Sequence, residues 1–367
     1  MSHQKFLAKA FIEKQSDWDV MLTNGQNSVI GEMVGDSLWA KKYFVDFLEY
    51  PDYVNNTKPE LLTPENLKQW GGIAPGPFLE GQFYSLWVNQ KVAEKIGIEV
   101  KQFDMTVDDF IGYLKAAYKY NQRNPNDYTA PIYESHTYKT VDIIGLMLYI
   151  SCLDTPDDYL KAKVSAKRLK AWETTLKKIE EMSLYDPVFR DWDKVEWTAT
   201  QNHLVDEKCL FYVNGSWMYN IWKEIDAEKV NNCAPLEFPK IKEHIMYPIS
   251  YLVSWCVPKN AKNRDEAVKF LLEMNQPEVS ESWTRHTKCP SGIKGNLSAS
   301  SIGGDSFEEY LNYISKKYEK RNFNIYENPS WVLSSKFSKV DLQFYDVILG
   351  NKSVEEAMSQ IKSKIGW

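Results

Sequence analysis

Apolar residues recur along the chain with two periods. In TVDDFIGYLKAAYKYN (106–121), Phe110, Leu114, Ala117 and Tyr118 share one helical face, and Thr106 precedes Asp109 at the spacing of a capping box. SAKRLKAWETTLKKIEEM (165–182) sets Leu169, Trp172, Leu176, Ile179 and Met182 at intervals of three and four. That spacing predicts an amphipathic helix of about five turns. NRDEAVKFLLEMN (263–275) and SVEEAMSQIKSKI (353–365) repeat the capping pattern, with Asn263 before Glu266 and Ser353 before Glu356. Strand-like runs lie between: WDVMLT (18–23), FYSLWV (83–88), CLFYV (209–213) and YLVSWCV (251–257). Strands alternating with helices indicate α/β layers. The most apolar run, IIGLMLYISCL (143–153), falls well short of the ~20 residues a membrane span needs and predicts a buried helix. There are no internal repeats, and the Gly/Pro-rich GGIAPGP (71–77) is the nearest candidate for a boundary loop.

One stretch breaks the regularity. LFYVNGSWMYNIW (210–222) begins as a buried strand, stops at Asn214-Gly215-Ser216, and resumes at once with a large indole, Trp217.

Composition narrows the function. With 367 residues the chain can support two cores. A net charge of -6 argues against nucleic-acid and acidic-lipid partners, which need clustered Lys and Arg. Most of the 13 Trp, 22 Tyr and 16 Phe belong to the core, but so many aromatics also suit sugar rings, whose C–H faces stack on aromatic planes. Cys152, Cys209, Cys233, Cys256 and Cys289 show no CxxC or zinc spacing; they read as buried thiols, with a single disulfide left open. His3, His136, His203, His244 and His286 are scattered without metal-ligand spacing, and P-loop, GxGxxG and GxSxG signatures are absent, so no cofactor or metal is expected. The N-terminus, MSHQKFLAKAFIEKQ, is amphipathic and charged, unlike a signal peptide. Any two carboxylates could flank a glycosidic bond, so a secreted glycan-active enzyme such as a glycoside hydrolase is the alternative to a binding protein.

Five segments in order resemble one family, the extracellular solute-binding proteins of ABC importers, of the maltose-binding-protein-like (family 1) type. DWDVMLTNGQN (17–27) is similar to the family's Asp-Val strand and FYSLWVNQKVAEKIGIEV (83–100) to its strand ending in Asn before a short helix. LFYVNGSWMYNIW is similar to its strand, Gly-x-Trp turn and helix. AKNRDEAVKFLLEMNQPEVSESW (261–283) and GNKSVEEAMSQIKSKI (350–365) resemble two later helices.

The resemblance implies a two-lobed α/β periplasmic-binding-protein-like fold with a hinge and an interlobe ligand cleft. Lobe 1 would take residues 1–81 and 251–297, and lobe 2 residues 82–250 and 298–367. It implies capture of a carbohydrate, an oligosaccharide, by a monomer that serves ABC permease subunits outside the cytoplasm, either periplasmic or lipid-anchored. A sensor-linked binding protein would use the same site. Trp217 is implied to stack on a sugar ring; its other reading is a core residue beneath the helix. By the same matching, Asn24, Gln26 and Gln82 are implied polar contacts, Tyr133 and Glu134 of YESH (133–136) a further pair, and Trp331 or Phe337 an aromatic contact. One departure stands out: the family's opening strand-helix-strand has no counterpart before HQKFLAKAFIEKQ, so lobe 1 is expected to be incomplete and to expose unpaired strand edges.

Overall fold

The computed structural model describes residues 9, 17–24, 31, 35–68, 70–135, 141–160, 164–196, 202–295, 306–318, 321 and 343–367. Gln26, Trp331, Phe337 and, but for Lys9, the leading helix expected at HQKFLAKAFIEKQ lie outside them. In chain order the strands are β1 (Met21–Asn24), β2 (Glu80–Asn89), β3 (Ala130–Tyr133), β4 (Cys209–Gly215), β5 (Cys233–Leu236) and β6 (Ile249–Cys256). The helices of the first half are α1 (Trp39–Tyr43), α2 (Pro51–Asn56), α3 (Pro64–Lys68), α4 (Gln90–Ile96), α5 (Val107–Arg123), α6 (Val141–Ser151), α7 (Pro156–Leu160) and α8 (Ala166–Ser183). Those of the second half are α9 (Met218–Ile225), α10 (Arg264–Met274), α11 (Pro277–Thr287), α12 (Ser306–Tyr318), α13 (Phe344–Ile348) and α14 (Val354–Ile365). The chain divides into unit 1, Met1–Phe83 with Ile249–Gly303, and unit 2, Tyr84–Pro248 with Gly304–Trp367.

In unit 1, β6 pairs antiparallel with β1, Met21 opposite Cys256, and with the first residues of β2, Phe83 opposite Ile249. The β2 register shifts between Glu80 and Gln82. The intervening Gly81 donates its N–H to the Pro290 carbonyl at 2.6 Å, and a Cβ there would meet the Tyr251 ring at 2.6 Å. Only glycine admits so close an approach. The core gathers Val45, Phe47, Tyr53, Leu67, Ala74, Val257, Ala267, Val268 and Leu271. GGIAPGP is not a boundary: it lies inside unit 1 and is largely buried, because its backbone groups are satisfied there. Gly76 donates to the Trp255 carbonyl at 2.6 Å, its own carbonyl accepts from Ser254 Oγ at 2.9 Å, and Ala74 donates to Asp46 Oδ1 at 3.0 Å.

In unit 2, β3 runs parallel to β4, which pairs antiparallel with the rest of β2; β5 pairs with β2 on its other side. Phe211 and Tyr212 are consecutive on β4, so they point to opposite faces. Phe110 of α5 packs on Phe211 at 5.2 Å, and Trp222 of α9 lies 6.3 Å from Tyr212, so the two faces carry different helices. The apolar run at 143–153 forms α6 and its end, buried almost all round against α8, where Trp172 meets Tyr149 at 4.8 Å and stacks on Phe344 at 5.3 Å.

Two of the expected capping boxes form. Thr106 Oγ1 accepts from Asp109 N at 3.1 Å while Asp109 Oδ2 accepts from Thr106 N at 3.0 Å, and Ser353 and Glu356 reciprocate in the same way. The third does not. Asn263 precedes α10 without a side-chain cap, because its N–H and Nδ2 both donate to the Asp19 carboxylate, at 2.9 and 2.7 Å. All five cysteines are free and buried.

Candidate functional site

The break in LFYVNGSWMYNIW has a packing cause. Gly215 ends β4 with an ordinary φ, since it is not among the glycines of positive φ. A Cβ on it would lie 1.9 Å from Cζ3 and 2.2 Å from Cη2 of Trp217. The indole therefore lies directly over the Gly215 backbone, and glycine is required for close approach rather than for an unusual turn. The indole also meets Tyr84 in a T-shaped contact, with centroids 5.2 Å apart at 85°. Tyr84 stands opposite Gly215 in the β2–β4 register. The strand end is pinned by Asn214, which is buried: its Oδ1 accepts from Gly215 N at 2.8 Å, its Nδ2 donates to the Tyr212 phenol at 2.9 Å, and its carbonyl accepts from Trp87 Nε1 at 3.0 Å. Trp217 itself stays only half-buried, at the N-cap position of α9, while Trp222 one turn on is fully buried.

β3 and β4 are parallel neighbours, Tyr133 opposite Tyr212, so their C-terminal ends share one edge of the unit 2 sheet. That edge is where ligands gather in α/β sheets. Glu134 follows β3 and is buried, with 1% exposure. Its Oε1 accepts from Ser135 N at 2.8 Å and its Oε2 from Val141 N, the first residue of α6, at 2.7 Å. A carboxylate so placed satisfies amides that the helix leaves open and complements the positive end of its dipole. Replacing it by glutamine removes one acceptor. Glu134→Gln should lower the free energy of unfolding by about 1–3 kcal/mol in urea titration; an unchanged midpoint would show these bonds to be dispensable.

Tyr133 is buried too, stacked on Phe189 at 4.5 Å and close to His203 at 4.2 Å, and burial pushes its phenol up to about 12. Gln82 is half-buried on β2 within unit 1, opposite Ser250, and hydrogen-bonds Glu80, whose carboxyl is raised by burial. Asn24 ends β1 opposite Val253. The strand ends of unit 2 thus bring Trp217, Tyr133 and Glu134 to one edge, whereas Gln82 and Asn24 belong to the unit 1 sheet. Sequence reading did not single out Tyr84, the partner of Trp217, because only strand register places it there. Among the described residues no cluster of His, Cys, Asp and Glu could hold a metal ion, and no helix is long and apolar enough to cross a membrane.

No curated protein matches the sequence. Among solved structures, apo RafE from Streptococcus pneumoniae is similar with a TM-score of 0.66 at 17% identity, covering 100% of this chain and 88% of that one. The GacH receptor of Streptomyces glaucescens, solved unliganded and with acarbose, gives 0.65 at 15%, covering 99% and 87%. An ABC transporter solute-binding protein from Thermotoga lettingae, bound with α-D-tagatose, gives 0.64 at 13%, covering 99% and 88%. The fold is the α/β periplasmic-binding-protein fold. The profile of the bacterial extracellular solute-binding protein matches residues 7–297, so this chain belongs to that family, whose members bind solutes for ABC transporters rather than turning them over.

Proposed function

We propose that the solute is a carbohydrate, an oligosaccharide, delivered to ABC permease subunits outside the cytoplasm. The observation that carries this reading is the seating of Trp217: a half-buried indole, held by Gly215 beneath it and Tyr84 beside it, at a strand end where ligands collect. An aromatic plane fixed in this way offers an apolar face to the C–H side of a sugar ring. The pinned strand end pre-organises the ring, so little side-chain entropy is lost on binding. The sugars in the similar structures point the same way. Glu134, whose oxygens already serve the backbone, would set the shape of the loop beside the ligand, and Asn24, Gln26 and Gln82 are the further polar contacts this reading assigns.

The test is a panel of neutral oligosaccharides titrated by calorimetry and tryptophan fluorescence. Trp217→Ala should weaken the tightest binder by about 1–3 kcal/mol, the value of a buried aromatic contact, with a much smaller change in melting temperature. A collapse of the melting temperature with unchanged affinity would make Trp217 a scaffold residue instead.

A further inference from the structure

A third parallel segment joins the edge that ends in Trp217. Val188 bridges in parallel to Ile132 of β3; Ile132 N donates to the Pro187 carbonyl at 2.9 Å and Phe189 N to the Ile132 carbonyl at 3.0 Å. Residues 187–189, β3 and β4 therefore run side by side in one direction, with β3 in the middle. Beyond its strand end β4 presents Trp217; beyond 187–189 the chain turns at Arg190 and Asp191 and presents Trp192 at the start of a short 3-10 turn. Two interstrand spacings separate the outer segments, about 10 Å across the sheet.

Trp192 is half-buried. It meets Tyr345 of α13 at 72° with ring centroids 4.9 Å apart, and Tyr345 is buried. The Tyr345 phenol is raised by burial and by the nearby carboxylates of Glu134 and Asp142, which ties Trp192 to the same neighbourhood as the loop that follows β3. Like Trp217, then, Trp192 is an indole braced by a tyrosine at roughly a right angle, past the C-terminal end of a parallel segment, and left partly open to solvent.

We propose that Trp192 is a second sugar-stacking side chain, so that the ligand has at least two rings. The inference rests on the carbohydrate reading of Trp217. One pyranose, about the size of a tyrosine ring, is shorter than the spacing of about 10 Å between the segments that lead to the two indoles, whereas a di- or trisaccharide can span that spacing. Ligands of increasing length should separate the two tryptophans: Trp217 acts on every length, Trp192 only on those that extend beyond the first ring.

Raffinose, maltotriose, xylotriose and triacetylchitotriose, each with its constituent mono- and disaccharide, are titrated against wild type, Trp192→Ala, Trp192→Phe and Trp217→Ala. For the trisaccharide that wild type binds most tightly, Trp192→Ala should weaken binding at least about tenfold, one bound aromatic contact. Affinity for the shortest sugar bound should be unchanged, and Trp192→Phe should restore most of the loss. Unchanged trisaccharide affinity overturns the inference. So does an equal loss at every length, or loss of melting temperature in both Trp192 variants, since each marks Trp192 as a brace for Tyr345. Failure of wild type to bind any of these sugars overturns the carbohydrate reading and takes this inference with it.

Discussion

Lowering the pH from 7 to 5 should cost about 2 kcal/mol of folding stability through one side chain, His244. The imidazole is fully buried, and burial holds it at about 4; the Phe238 carbonyl and the Glu237 carboxylate oppose that shift, while Lys240 and Lys317 add to it. Nε2 lies 3.0 Å from the Phe238 carbonyl, the Tyr247 and Tyr318 rings stand 5.8 and 6.3 Å away, and Arg321 Nη1 donates to the His244 carbonyl at 3.3 Å. The ordinary histidine value is near 6.5. Between 6.5 and 4 the unfolded chain therefore takes up a proton that the folded chain refuses, and stability falls as pH falls. The loss starts just above pH 6.5, reaches about 2 kcal/mol at pH 5 and levels at about 3 kcal/mol below pH 4.

The neighbouring carboxylates act in a lower window. Glu237 is buried and held below its ordinary value despite desolvation by Tyr318, Lys317 and the Asp104 amide, and Asp104 is lowered to about 2 by Lys240 and Lys317. Their contributions are fully present above the ordinary carboxylate range and are lost as pH falls from it through their lowered values. Comparing wild type with His244→Gln in urea unfolding at pH 7, 6 and 5 isolates His244 from the raised carboxyl of Glu80, whose contribution has the opposite sign. His244→Gln can keep the donor to Phe238 but cannot titrate, so its profile should be flatter than wild type over this range. A wild-type profile that falls no more steeply than that of His244→Gln between pH 7 and 5 would refute the assignment.

What the sequence made legible was periodicity and capping. α5, α8 and α14 stand where an apolar stripe, an N-cap or both predicted them, since both signals are local. β3 and β5 left no usable trace: each has four residues and carries a proline, Pro131 or Pro235, which reads as a turn until a neighbouring strand is known. The same limit governs the site. Trp217 was conspicuous because a glycine and a large aromatic adjoin at a strand end, but Tyr84 and Trp192 take their positions from pairings across the sheet. Glu134 shows a different gap. The family resemblance of YESH implied a polar contact there, yet what its oxygens already accept depends on where α6 begins. Asn263 failed as a cap for a comparable reason, since a distant carboxylate, Asp19, competes for its side chain.

Gly215→Ala should disturb the site more than any conservative change elsewhere on the strand. Because the φ of Gly215 is ordinary, alanine is not excluded by the backbone; the obstacle is the indole. The added methyl would sit 1.9 to 2.3 Å from Cζ3, Cη2 and Cε3 of Trp217, so the whole benzo edge must move. Moving it breaks the T-shaped contact with Tyr84 and disturbs the start of α9, where Trp217 is the N-cap residue. Overpacking of this kind costs about 1–3 kcal/mol of stability. If Trp217 is the stacking plane, affinity for the bound oligosaccharide should fall by at least the amount lost in Trp217→Ala. A double-mutant cycle separates the causes. With Trp217→Ala the space above Gly215 is empty, so adding Gly215→Ala should then cost little in stability and nothing further in binding. Equal costs in the two backgrounds would mean that the glycine serves the backbone path of the strand end, and that the indole over it is incidental to why glycine is there.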